Sequence, residues 1–149
     1  MFPTSQLTAN IETDGSPMPL GDLSYFLYLF RALYVAAREE MTSSGQFQIE
    51  SIDQVNRFAR LVAKRIGTSA HQFADFASRK LSDQEDIRVV NIYRQNPLFV
   101  VFEGIGLSLV TCAIIAGGSF ALNQDTIELP SLRTMITKIQ SAVSRQRRD

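Results

Sequence analysis

Cysteine, histidine and net charge are all scarce in this sequence, and each shortage closes off a class of chemistry. The only cysteine is Cys112, which excludes an intrachain disulfide and any cysteine-based zinc site within one chain, and which fits a reducing compartment. The only histidine is His71, so no Ser-His-Asp arrangement can be built without it. A lone His beside aromatics in a short helical pattern is more often an ordinary side chain than a catalyst. Basic and acidic residues balance at 15 each. No global field then favours nucleic acid, and no nucleic-acid partner is expected.

Other familiar patterns are absent too. Gly104-Ile105-Gly106 lies inside an apolar run, and Gly117-Gly118 has no following Lys-Ser/Thr, so no phosphate loop forms. The acids Asp83, Glu85 and Asp86 cluster without the spacing of an EF-hand. No catalytic residue, metal ligand or cofactor is expected, and there is no internal repeat or low-complexity tract. Residues 1–19 (MFPTSQLTANIETDGSPMP) lack a basic n-region and an early apolar core. They do not read as a signal peptide. They read as a polar, disordered arm ahead of a single domain over 20–149.

What is present is a series of amphipathic segments. Leu23, Phe26, Leu27, Phe30, Leu33, Tyr34 and Ala37 recur at helical spacing after Asp22, a candidate N-cap, and a turn-rich break follows at 41–45. Residues 47–50 alternate like a half-exposed strand. A helix beginning near Asp53 carries Val55, Phe58, Val62 and Ile66 on one side and stops at Gly67. Ser69 with Gln72 is a capping-box pattern for a further short helix. Residues 87–93 (IRVVNIY) are rich in β-branched and aromatic side chains and read as a strand. Residues 119–122 and 126–129 suit a short hairpin. From Pro130 a last helix sets Leu132, Met135, Ile136, Ile139 and Val143 on one stripe.

The dominant feature is the apolar run 98–122 (LFVVFEGIGLSLVTCAIIAGGSFAL), with Glu103 near its start and no charge from Gly104 to Gln124. Asn96-Pro97 offers a helix entry and Gly117-Gly118 a stop, which predicts one long all-apolar helix over 97–116. At about 1.5 Å per residue it is roughly 30 Å long, near the hydrocarbon thickness of a bilayer. A single membrane span is one reading, and a helix buried on every side of a core is the other. Gly104, Ser108, Cys112 and Ala116 fall at successive i+4 positions and form a small-residue packing face. Arg57, Arg60, Lys64 and Arg65 are the candidate contact for an anionic lipid surface, with the solvated side of an amphipathic helix as the plainer account.

The order strand, Asn-Pro-Leu, apolar helix, Gly-Gly over 87–118 resembles a pattern in small uncharacterised bacterial proteins. It is also loosely similar to TRADD-N-like modules, which are associated with self-association and adaptor roles in bacterial conflict systems. The resemblance brings no catalytic residues. Taken together, the sequence predicts an α+β fold with a small sheet, several helices and the long apolar helix. It predicts a non-enzymatic, homo-oligomeric interaction module attached to a membrane through 97–116. The alternative is a soluble cytoplasmic binding or adaptor domain with that helix as its core.

Overall fold

A computed structural model describes residues 4–45, 51–67, 70–94, 97–119 and 125–148. Among these the chain is α+β, with four strands and five helices. Strand β1 (Thr4–Ile11) is followed by helices α1 (Leu20–Ser44), α2 (Ile52–Ile66) and α3 (Ala70–Ser78). Then come β2 (Arg88–Arg94), β3 (Leu98–Ile105), α4 (Gly106–Ile115), β4 (Thr126–Leu129) and α5 (Leu132–Arg148). The strands form one sheet in the order β2-β3-β1-β4. β1 runs antiparallel to β3 and parallel to β4, and β2 runs antiparallel to β3.

Two sequence expectations fail here. The segment 97–116 is no continuous helix: its first half is strand β3, and α4 covers only Gly106–Ile115. The reason lies in the side chains. Leu98, Val100 and Phe102 face the helices and are buried, while Phe99, Val101 and Glu103 take the opposite face at intermediate exposure. β-branched and aromatic residues suit such a pleated surface, and apolar residues on both faces imitate an uninterrupted hydrophobic run. No helix among the described residues is long and apolar enough to cross a membrane. The second failure is the N-terminal arm, because Thr4–Ile11 supplies an interior strand of the sheet. Leu7, Ala9 and Ile11 point into the core and Gln6, Thr8 and Asn10 point away, a clean period of two.

Helix α1 organises the other layer and packs against α2, α3, α4 and α5. It begins at Leu20 after Pro19, so Asp22 sits in the first turn instead of capping it, and it closes on Gly45 in the left-handed region. Residues 32–37 are buried in succession, because helices surround this stretch of α1. Phe30 stacks on Phe102 of β3 with ring centroids 4.9 Å apart, and Phe26 lies 5.2 Å from Phe30. These aromatic contacts lock the helical layer to the sheet. Helix α2 is capped by Ser51, whose hydroxyl accepts the Gln54 N–H at 3.2 Å, and it stops at Gly67. Helix α4 ends in a Schellman motif. The Gly118 N–H donates to Ala113 O and the Gly117 N–H to Ile114 O, with Gly117 at φ 97°.

The 126–129 strand is present, but it pairs in parallel with β1. The other half of the expected hairpin touches it through a single bridge from Ser119 to Glu128, and residues 120–124 lie outside the described residues. The strand expected at 47–50, the cap at Ser69 and the turn residue Asn96 also lie outside the described residues.

Candidate interaction surface

Strand β2 is an edge strand, paired with β3 on one side only. Its register sets Arg88 opposite Glu103 and Tyr93 opposite Phe99 on the outer face of the sheet, and Val89 opposite Phe102 and Ile92 opposite Val100 on the helix face. A bulge falls at Val90, between the Val89 and Asn91 pairings. The helical layer stops short of this edge. Val89 keeps 52% of its surface, Val90 51%, Ile92 46% and Tyr93 39%. These four make up half of the large apolar side chains exposed among the described residues. An exposed edge rich in β-branched residues is a template for pairing with another strand.

The strand is fixed to the body at both ends. On the outer face Arg88 donates to Glu103 Oε1 through Nε at 3.0 Å and a terminal nitrogen at 2.6 Å, and Gln6 donates to Glu103 Oε2 at 3.2 Å. This polar row crosses β2, β3 and β1. The hydrogen bond from Gln6, followed by those from Arg88, holds the Glu103 carboxyl below the usual carboxylate range. At the other end Tyr93 stacks on Phe99 with centroids 4.9 Å apart and planes 12° apart.

The loop 82–86 leading into β2 is clamped by a polar stripe of α1. Arg31 donates to Asp86 at 3.2 Å and to Ala77 O and Arg79 O, and Arg38 pairs with Glu85. Between them the buried Tyr34 hydroxyl donates to Glu85 O at 2.7 Å and accepts the Ile105 N–H at 3.0 Å. Burial pushes the Tyr34 phenol up from its usual value. One side chain thus joins α1, the loop before β2 and the point where β3 becomes α4.

The residues singled out from sequence are not gathered at this surface. Ser108, Cys112 and Ala116 do share one face of α4, but that face is buried inside the domain. The Ser108 hydroxyl meets Met41 Sδ at 3.3 Å, and the Cys112 thiol donates to Phe30 O at 3.6 Å, both on α1. Burial pushes the Cys112 thiol well above its usual range. Gly104 belongs to β3, under Tyr34, and Glu103 is part of the outer polar row. The basic set lies on α2. Arg65 pairs with Glu40 at 2.7 Å, whereas Arg57, Arg60 and Lys64 are exposed and have no ion pair among the described residues, with Leu61 exposed between them. His71 falls on α3.

One concave stretch of surface has both of its arginines engaged. A groove of about 540 Å³ lies between the loop after β1, Arg94 and the start of α5. Arg133 there pairs with Asp22 at 3.1 Å, and Arg94 donates to Ser16 O. Among the described residues no group of three or more His, Cys, Asp or Glu side chains converges on a point. Sequence reasoning identified β2 as a strand but missed its position at the edge. The signal available was its apolar side chains at 89, 90, 92 and 93, which fit neither a strict alternation nor a turn. No protein-family model, curated protein or solved structure matches this chain.

Proposed function

We propose that this protein is a non-enzymatic interaction module that associates with copies of itself through the β2 edge. The observation that carries the reading is the combination of an open strand edge with exposed apolar side chains on both of its faces. A strand of a stable monomer at an edge is usually protected by charge, proline or a covering element. Here the charges stand at the ends, at Arg88 and Arg94, and between them Asn91 and the bulge at Val90 interrupt the apolar Val89, Val90, Ile92 and Tyr93. The tethers of Arg88 and Tyr93 hold the strand against β3 on either side of the bulge, so little conformational entropy opposes its pairing with a partner.

Amide hydrogen exchange tests this reading. Protection of the amides of β2 is expected to rise with protein concentration, while that of α5 stays level. Protection of β2 that is independent of concentration contradicts it.

Membrane attachment through 97–116 loses the helix it required, since that segment is β3 followed by the buried α4. A peripheral contact with anionic lipid is a second reading, favoured by Arg57, Arg60 and Lys64 around the exposed Leu61 on α2. Co-sedimentation with vesicles of anionic lipid, but not of phosphatidylcholine alone, supports it. Equal behaviour with both vesicle types removes it.

A further inference from the structure

Resting on the proposed self-association, we infer that two copies join β2 to β2 in antiparallel alignment, with Val89 of each copy opposite Ile92 of the other. Three features of the strand select this arrangement.

The first is charge. The acids Asp83, Glu85 and Asp86 immediately precede β2, and Arg94 closes it. Glu85 and Asp86 are already paired with α1, but Asp83 is exposed and has no ion pair among the described residues. An antiparallel pair turns the Asp83 side of each copy toward Arg94 of the other, twice over by symmetry, while the Arg88 charge at that end is already taken up by Glu103. A parallel pair brings acid to acid and base to base, which is repulsive.

The second is the bulge. In a regular strand, residues three apart point to opposite faces. The extra residue at Val90 changes this, so that Val89 and Ile92 both face the helix side and Arg88 and Tyr93 both face the outer side. Pairing around a two-fold axis perpendicular to the sheet keeps like faces together. The register that sets Val89 against Ile92 therefore also sets Arg88 against Tyr93, with both pairs meeting on a common face. A slip of one residue sets Val89 against Tyr93 or Asn91, from opposite faces, and exposes what the pairing would bury. The favoured register overlaps the two strands along nearly their full length.

The third is chemistry across the axis. Val89 and Ile92 form two β-branched pairs on the helix side, and on the outer face Arg88 of each copy falls in one row with Tyr93 of the other, each keeping its own contact with Glu103 or Phe99. The two sheets become one continuous eight-stranded sheet, with both helical layers on the same side.

The test is a cysteine pair across the axis. In the chain carrying Val89→Cys and Ile92→Cys, oxidation should give a disulfide-linked dimer as the main species. The two new thiols of one chain stand three residues apart on a strand, beyond the ~7 Å Cα separation that a disulfide can close. The control carrying Val89→Cys and Tyr93→Cys, from opposite faces, should remain almost entirely unlinked. Sedimentation of the unmodified chain separates the two levels of the argument. A dimer in which only the control pair links, or neither does, overturns this geometry and leaves self-association standing. A monomer at every concentration overturns both.

Discussion

The hydroxyl oxygen of Tyr34 lies 2.9 Å from the point where a Cβ would stand on Gly104. Only a residue without a side chain lets that ring pass over β3 and reach both Glu85 O and the Ile105 N–H. The approach of these two residues fixes α1 over the sheet, ends β3, and holds the loop from which the β2 edge starts.

Gly104→Ala is therefore expected to lower stability by about 1–3 kcal/mol, because the buried ring has no free space to retreat into. Tyr34→Phe should cost about 1–3 kcal/mol by taking the hydroxyl partner from the buried Ile105 N–H and the part-buried Glu85 O. In the Tyr34→Phe background the Gly104→Ala penalty should shrink, since the oxygen nearest the new methyl is gone. Urea melts of the two single variants and the double variant measure that coupling. Strict additivity contradicts the account. Gly21→Ala is the contrast: nothing lies within 4 Å of a Cβ there, and a gain of about 0.4–1 kcal/mol is expected.

Cys112 should resist alkylation in the folded chain and react fully in denaturant, because its thiol is buried and held neutral. Mass spectrometry after iodoacetamide treatment reads this directly. Rapid labelling of the native protein places Cys112 on an accessible face and contradicts the packing of α4 on α1.

Stability is expected to fall at both extremes of pH. The raised Cys112 and Tyr34 groups contribute stability that is fully present below their unfolded values. It is lost as pH rises through the ordinary thiol and phenol range, about 8.5 to 10, and on toward the folded values. Glu103 has the opposite sign. Its lowered folded value contributes stability present above the unfolded carboxylate value of about 4.3, and lost as pH falls through the folded one. Glu103→Gln should flatten the acid limb of a pH series of melts and leave the alkaline limb as it was. An unchanged acid limb removes Glu103 from the account.

The helical part of the fold is legible in the sequence because α2 and α5 each bury a recognisable stripe, and α1 carries one, Phe26, Phe30 and Leu33, within a wider buried surface. Helix ends were less legible. Ser51 caps α2 where Asp53 was expected, and only Ile52 separates these two residues of cap-forming type. The sheet was obscured for two different reasons. In β3 the outer residues Phe99 and Val101 are as apolar as the inner Val100 and Phe102, so the period of two disappears and Glu103 is the single residue marking the outer face. In β1 the alternation is clean but the inward side chain at Ala9 is small, and the Pro and Gly residues at 15–19 suggest an arm. The i+4 relation of Gly104, Ser108, Cys112 and Ala116 is visible in the sequence, but Gly104 falls in β3, and periodicity does not tell which helix packs on the other three. The partner within the domain is α1, far away in sequence.

Charge placed on the β2 edge should abolish association without unfolding the chain. Ile92 is half exposed, so Ile92→Lys should lower monomer stability by only about 1 kcal/mol. The added charge on the paired face should oppose a second strand.

Sedimentation equilibrium of the unmodified chain beside Ile92→Lys tests self-association through β2 most directly. The unmodified protein should show an average mass that climbs with concentration from 16.7 kDa toward twice that value, while Ile92→Lys stays at the monomer mass with an unaltered circular dichroism spectrum. A monomer mass for the unmodified chain at every concentration, or equal association of the two proteins, would contradict the account.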